Sequence, residues 1–275
     1  MKLKHYPIFI RLMYRVLRLH PAKRLSPSRQ LDAVVSLTSI ASRLRFVRYA
    51  VASLLLQDPA PRKVVLWLSH GAAGQIPEAL SRLQGERFEI RFREDVGPHT
   101  KLVYALKEFP GEVLVTADDD MLYESSWLGR LWDEHLSYPD EVIGHECRMI
   151  SVDRRSGELL PYRQWPSAKP GERAPALLPL GYSGVLYPPG CLHPDATDVA
   201  LFRALAPKAD DLWFKAMSLI NDVATRRSSR PGQKPIPVPF SQEETLNSEN
   251  VTQDRNRTQW LALARHYGFE LPKAG

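Results

Sequence analysis

The sequence predicts an α/β fold, in which a mostly parallel β-sheet is flanked by helices. Short apolar runs, rich in β-branched residues, alternate with segments of helical periodicity over residues 33–117, which is the pattern of repeated β-α-β units. The chain has 275 residues, of which 44% are hydrophobic, so it can bury a full core without disulfides or a structural metal. The cysteines, Cys147 and Cys191, form no CxxC pair, and we expect small core residues in a reducing compartment.

The predicted elements follow one another in a regular order. The runs that predict strands are 33–37, 63–68, 88–92 and 112–117. The segments whose apolar residues recur at helical intervals are 43–57, 77–84, 100–108, 125–137, 207–222 and 258–267. The pattern loosens between 140 and 190, where Pro and Gly are frequent. We therefore divide the chain into an N-terminal segment (1–31), a catalytic domain (32–222) and a C-terminal extension (223–275).

The charge is unevenly distributed along the chain. Thirty-seven Lys and Arg against 31 Asp and Glu give a formal net charge of +6. Residues 1–31 contain eight basic residues and no acidic one, which leaves 29 basic and 31 acidic residues, a net −2, in the remainder. A nucleic-acid-binding body would cluster Lys and Arg across one face, so we expect no nucleic-acid partner.

Residues 7–20 predict a basic amphipathic helix that ends at Pro21. Its arginines share one side and its apolar residues the other, so it could lie in the plane of an anionic membrane surface. The alternative is a helix that docks its apolar side on the domain. The sequence has no run of 18 apolar residues, and the arginines interrupt any secretory signal. We expect a cytoplasmic protein, peripheral on the inner face of the cell membrane and bound through residues 1–24.

Three consecutive aspartates, Asp118, Asp119 and Asp120, follow the strand predicted at 112–117. Like charges this close raise each other's pKa unless a cation compensates them. Mg²⁺ and Mn²⁺ prefer carboxylate oxygens and often bind substrate phosphates as well. In an extended segment Asp118 and Asp120 point the same way, so they could converge on one ion or nucleotide. The alternative is a solvated acidic turn, but ligands of parallel sheets lie at the carboxyl ends of strands, which favours a site.

A second acidic pair, Asp210 and Asp211, begins a predicted helix. Asp in a first helical turn is favoured by capping and by the helix dipole, so a purely structural role is one interpretation. The other is a general base. The glycine-containing turn at 181–184 precedes this pair and lets the backbone approach a ligand closely.

Together these motifs resemble those of GT-A type, family-2-like bacterial glycosyltransferases of surface-polysaccharide assembly. VVSLTSIASRLRFVRYAVASLLLQ at 34–57 resembles the family's opening strand, loop and helix, and VLVTADDDMLYESSWL at 113–128 resembles its strand and DxD motif. GYSGVLYPPG at 181–190 is similar to its acceptor-side turn, and ADDLWFKAM at 209–217 to its acidic motif before a helix. The resemblance extends from residue 33 to about residue 222.

The resemblance implies a GT-A (Rossmann-like) fold and a metal-dependent, inverting transfer from a nucleotide sugar to a glycan or lipid-linked acceptor. It implies that the nucleotide is bound by Thr38, Ser39, Arg43, Lys101, Asp118 and Asp119. Asp118 and Asp120 are the implied ligands of Mn²⁺ or Mg²⁺, and Asp119 could replace either. Asp211, with Asp210 beside it, is the implied catalytic base. The expected donor is UDP-linked, although residues 68–70 lack the acidic residue with which the family usually binds uracil.

Two other functions stay open at the level of the sequence. A phosphatase of the haloacid-dehalogenase kind also has a DxD motif after a strand, but there the motif follows the first strand, usually with Thr or Val where this chain has Leu122. The second alternative is a non-enzymatic, membrane-docked binding module that combines the basic helix with an acidic cation site.

Overall fold

The computed structural model describes residues 27–239, 241 and 254–270, together with Ile10, Met13 and Tyr14. Most of the helix predicted over 7–20 therefore lies outside the described residues. The strands are β1 (Gln30–Thr38), β2 (Ala60–Ser69), β3 (Phe88–Arg93), β4 (Val113–Thr116), β5 (Met121–Leu122), β6 (Val142–Gly144), β7 (Cys147–Met149), β8 (Arg173–Ala174), β9 (Leu177–Pro179), β10 (Val185–Tyr187), β11 (Thr225–Arg227) and β12 (Ile236–Pro237). The helices are α1 (Leu44–Leu55), α2 (Glu78–Ser81), α3 (Thr100–Glu108), α4 (Trp127–Ser137), α5 (Val199–Leu205), α6 (Asp210–Ile220) and α7 (Arg255–Tyr267).

The central sheet has eight strands in the order β3-β2-β1-β4-β10-β6-β11-β8. The half formed by β3, β2, β1 and β4 is entirely parallel. In the other half β10 runs antiparallel to both β4 and β6, β11 is parallel to β6, and β8 is antiparallel to β11. The predicted α/β class, with a mostly parallel sheet flanked by helices, is confirmed.

Two hydrophobic clusters cover the two faces of this sheet. Adjacent residues of β1 point to opposite faces, so Val34 belongs to one cluster and Val35 to the other. The cluster around Val34 also contains the apolar sides of α3, α5, α6 and α7. The cluster around Val35 contains those of α1, α2 and α4. Cys147 and Cys191 are both free and buried, as expected for small core residues.

Between 140 and 190 the structure contains five strands that the sequence pattern did not identify, β6 to β10. Each has only two or three residues, which is too short to display an alternating period. Strands β6 and β10 are buried along their whole length, so they lack polar positions that would mark one face. Strand β11 lies within the segment assigned to the C-terminal extension and pairs with β6 in the central sheet. The domain boundary at residue 222 stays a prediction.

A strap formed by residues 228–239 leads from β11 back to the three aspartates. Its strand β12 pairs with β5, which begins directly after Asp120. The N–H of Val238 donates to the carbonyl oxygen of Asp120 at 2.7 Å. The strap therefore fixes the backbone at Asp120 and directly after it.

Candidate functional site

The three aspartates lie at the carboxyl end of β4, beside the carboxyl end of its parallel neighbour β1. The loop after β1 reaches the middle aspartate with two side chains. Ser39 Oγ donates to Asp119 Oδ2 at 2.5 Å, and Arg43 Nη1 donates to Asp119 Oδ1 at 3.0 Å. Thr38, at the end of β1, donates its hydroxyl to the carbonyl of Trp67 at 3.0 Å, so it joins β1 to β2 at the same edge.

The carboxylates of Asp119 and Asp120 carry more negative charge than their surroundings neutralise. Burial raises the pKa of Asp119, although Arg43 and Ser39 oppose this. Burial and the charges of Asp118 and Asp119 raise the pKa of Asp120 to about 7, and Arg43, whose Nη1 lies 3.8 Å from Asp120 Oδ2, opposes them. A cation bound here would favour the ionised form of Asp120.

Lys101 connects the aspartate triplet to the second acidic pair. Its Nζ lies 2.7 Å from Asp118 Oδ1 and 3.0 Å from Asp210 Oδ2. Burial alone would lower the pKa of Lys101, but the carboxylates of Asp118, Asp210 and Asp211 outweigh it and hold the pKa well above its ordinary value. The lysine is therefore a permanent cation, bound to one carboxylate from each acidic group.

Asp211, in the first turn of α6, is held by backbone rather than by a cation. The N–H of Gly181 donates to both carboxylate oxygens, at 3.1 and 3.0 Å. A Cβ atom on Gly181 would lie 2.6 Å from Asp211 Oδ1 and 3.1 Å from Lys101 Nζ, so this approach requires glycine. The sequence suggested that the backbone of the turn at 181–184 approaches a ligand closely. In the structure this backbone approaches the carboxylate of Asp211.

The two residues of the Asp210–Asp211 pair differ in their protonation. Burial raises the pKa of Asp211, and the neighbouring charge of Asp210 raises it further. Burial also acts on Asp210, but Lys101 outweighs it and lowers the pKa of that carboxyl. Asp210 is therefore held ionised as the partner of Lys101, while Asp211 can accept a proton closer to neutrality.

A group of polar side chains beyond this pair has no counterpart in the sequence prediction. Glu146 Oε1 lies 2.6 Å from Arg227 Nη2, and Glu146 Oε2 lies 2.8 Å from Lys234 Nζ, so the strap is tied to the sheet here. Arg148 stacks on the ring of Tyr162, with its Cζ 5.0 Å from the ring centroid. Burial raises the pKa of Tyr162 to about 12, and the nearby charge of Asp211 contributes. Residues 146 and 148 come from the region of loosened pattern, and nothing in the sequence marked them.

The structure thus brings the predicted site residues to one edge of the sheet. These residues are Thr38, Ser39, Arg43, Lys101, Asp118, Asp119, Asp120, Asp210 and Asp211. Five carboxylates face two cations, Arg43 and Lys101, so the edge has excess negative charge when all are ionised. Within the described ranges, no group of three or more His, Cys, Asp or Glu side chains is arranged as a metal site. Mg²⁺ commonly uses only one or two carboxylates together with substrate phosphates, and Asp118 with Asp120 fits that smaller requirement.

The family model described as glycosyl transferase family 2 matches residues 42–180, just over half of the chain. The crystal structure of S. aureus TarS 1-349 is 17% identical, with a TM-score of 0.45 over 87% of this chain and 72% of that chain. The same TarS fragment in complex with UDP-GlcNAc is 14% identical, with a TM-score of 0.48 over 87% of this chain and 74% of that chain. No curated protein sequence matches the chain.

Proposed function

The chain belongs to glycosyl transferase family 2 and has its GT-A fold, and we propose that it transfers a sugar from a UDP-linked donor to a glycan or lipid-linked acceptor. The observation that carries this proposal is the meeting of two acidic groups at one sheet edge, joined by Lys101. One group is suited to a donor phosphate and its counter-ion, and the other to a proton. Family membership also favours transfer over the phosphatase and the binding module that the sequence left open.

On the donor side, Thr38, Ser39, Arg43 and Asp119 border the nucleotide. Asp118 and Asp120 would hold Mn²⁺ or Mg²⁺, which supplies positive charge that neutralises the diphosphate leaving group. The raised pKa of Asp120 supports this role, because a bound cation would offset the burial and the neighbouring negative charges that raise it. Lys101 stays bound to Asp118 and orients it.

On the acceptor side, Asp211 removes the proton from the attacking hydroxyl. Burial raises the pKa of Asp211, which makes it a stronger base than an ordinary aspartate near neutral pH. The N–H of Gly181 fixes the direction of the carboxylate. One displacement at the anomeric carbon then inverts the configuration, with the proton on Asp211 and the nucleoside diphosphate as leaving group.

Ligand-induced thermal stabilisation tests this function. UDP with Mn²⁺ should raise Tm, because a ligand that binds only the folded state stabilises it, whereas Mn²⁺ alone should raise it little. GDP with Mn²⁺ is the control for the identity of the nucleobase, and the Asp120→Ala variant is the control for the site. Stabilisation by neither nucleotide, or an equal effect in Asp120→Ala, would contradict the proposal. A screen of nucleotide sugars for transfer then identifies the donor.

We also propose that the N-terminal segment holds the protein on the inner face of the cell membrane during surface-polysaccharide assembly. Met13 packs against the small buried cluster of Leu122, Ile236 and Val238, while Ile10 and Tyr14 are 61% and 53% exposed. No helix among the described residues has the length and apolarity to cross a bilayer. The exposed apolar side chains and the basic residues of 1–24 together suit an anionic surface.

Vesicle sedimentation tests the membrane proposal. Deletion of residues 1–24 should abolish binding to vesicles that contain phosphatidylglycerol, and wild type should bind phosphatidylcholine vesicles much less. Ile10→Ser should weaken binding without changing Tm. A deletion variant that binds as wild type does would contradict the membrane role, and one that unfolds would show that the segment belongs to the domain.

A further inference from the structure

We infer that Tyr123 and Trp127 are positioning residues that keep the acceptor-side turn at 181–184 in register with the donor-side aspartates. Both side chains are buried, and the sequence assigned no role to either. The effect of this Tyr123–Trp127 link on catalysis rests on the proposed function. Its effect on the geometry of the turn does not.

The hydroxyl of Tyr123 joins the two sides of the site directly. It accepts from the N–H of Asp118 at 2.8 Å and donates to the carbonyl of Tyr182 at 3.3 Å. The side chain is completely buried. A neutral phenol both donates and accepts, so one hydroxyl can make both bonds.

Trp127 holds the other end of the same turn. Its Nε1 donates to the carbonyl of Ser183 at 2.7 Å. Gly184 has φ +101°, and a Cβ there would lie 2.4 Å from Trp127 Cζ2, so the turn lies directly against the indole. The rings of Tyr123 and Trp127 are in contact, with centroids 4.5 Å apart. The two side chains therefore fix two consecutive carbonyls of the turn.

The position of the turn determines the position of the candidate base. Gly181 begins the turn, and its N–H is the donor that holds the Asp211 carboxylate. Displacement of residues 182 and 183 would move or weaken that donor. Lys101 makes an ionic connection between the two acidic groups, whereas the Tyr123–Trp127 link is neutral and acts on backbone. The link therefore sets the geometry of the turn without an ionised group.

Amide hydrogen exchange measured by NMR tests the link without requiring any activity. Tyr123→Phe should accelerate exchange of the Gly181 amide about tenfold more than the change in global stability accounts for, because the carbonyl of Tyr182 loses its buried donor. The matched control is Tyr267→Phe, which removes a tyrosine hydroxyl that donates to Asp195 Oδ2 at 3.0 Å, away from the site. If the exchange rate of the Gly181 amide changes only as much as global stability predicts in both variants, the inference is overturned.

Trp127→Phe provides a second route to the same test, since it keeps an aromatic ring, removes the indole donor to Ser183 and shortens the ring that packs against Gly184. If Tyr123→Phe does not fold, the acceleration at Gly181 is expected in Trp127→Phe, and its absence would overturn the inference.

The catalytic readout separates positioning from simple destabilisation. Tyr123→Phe should lower kcat about tenfold with an unchanged KM for the nucleotide sugar, since a small displacement of a reacting group is costly. The acid limb of kcat should move to higher pH, because the Gly181 N–H that lowers the pKa of Asp211 is weakened. If kcat and its pH profile equal those of Tyr267→Phe, the link has no positioning role. If wild type itself transfers no sugar, the proposed function fails, while the exchange experiment still decides the link.

Discussion

The three consecutive aspartates and Asp211 are held by different kinds of partner. The donor-side aspartates are engaged by side chains, and Asp118, whose side chain is 29% exposed, is reached only by Lys101 among the ion pairs of the described region. Asp211 is partly buried and is held by a backbone N–H. Side-chain partners can rearrange when a ligand enters, whereas a backbone donor on a short turn cannot move without the turn. The comparison teaches that one group is built to exchange partners and the other to stay oriented.

The largest expected effect is a loss of turnover when Asp211 is replaced. Asp211→Asn should lower kcat by about 10²–10⁴-fold, the contribution expected of a general base, while the KM for the donor stays near that of wild type. The substitution keeps the shape of the side chain and leaves Asp118, Asp119 and Asp120 untouched. Steady-state kinetics measures it, and retained turnover would remove Asp211 from the role of base.

The pH dependence of kcat tests the difference in protonation. The pKa of Asp211 is raised by burial and by Asp210, and the base acts only when ionised. We therefore expect kcat to fall as the pH drops through a value clearly above the ordinary aspartate pKa, by about tenfold per unit below it. A rate that stays constant down to pH 4 would show that the group that accepts the proton has an unperturbed pKa.

A substitution at Gly181 tests the backbone donor itself. Gly181→Ala places a Cβ against the carboxylate of Asp211, so we expect a loss of about 1–3 kcal/mol in the free energy of unfolding and a reduced kcat. Gly85→Ala is the matched control, because nothing lies within 4 Å of its added Cβ. Urea unfolding and kinetics measure both variants. Equal behaviour of the two would mean that the turn adapts freely around Asp211.

The smallest expected effect is that of breaking the ion pair between Lys234 of the strap and Glu146. Lys234 pairs with Glu146, but its side chain is 62% exposed, so Lys234→Ala should cost no more than about 1 kcal/mol in the free energy of unfolding. Glu146 keeps Arg227 as a partner in that variant. A loss of several kcal/mol would show that the strap depends on this contact and that the acceptor side is less rigid than its backbone donors suggest.

The aspartate triplet and its neighbours could be predicted from the sequence because each follows an apolar run that marks a strand. Asp118, Asp119 and Asp120 are consecutive and follow a strand whose apolar run is unmistakable. Their neighbours Ser39 and Arg43 follow another such strand, and parallel strands bring their carboxyl ends together.

The residues around Asp211 could be predicted from the sequence only in part, for physical reasons. Asp211 and the turn at 181–184 were marked by their residue types, but Glu146 and Arg148 lie among strands too short to show a period. The sequence placed Lys101 near the nucleotide, whereas its pairing with both Asp118 and Asp210 arises from the packing of α3 between two distant segments. The hydroxyl of Tyr123 likewise links residues that are 59 positions apart, which no local pattern records.

Calorimetric titration of UDP with Mn²⁺ into two variants tests the division of roles most directly. Asp120→Asn should weaken the metal-dependent binding at least about 10- to 100-fold, the value of one lost charged interaction, whereas Asp211→Asn should bind as wild type does. Unchanged affinity in Asp120→Asn, or an equal loss in Asp211→Asn, would contradict the assignment of the donor to one acidic group and the proton to the other.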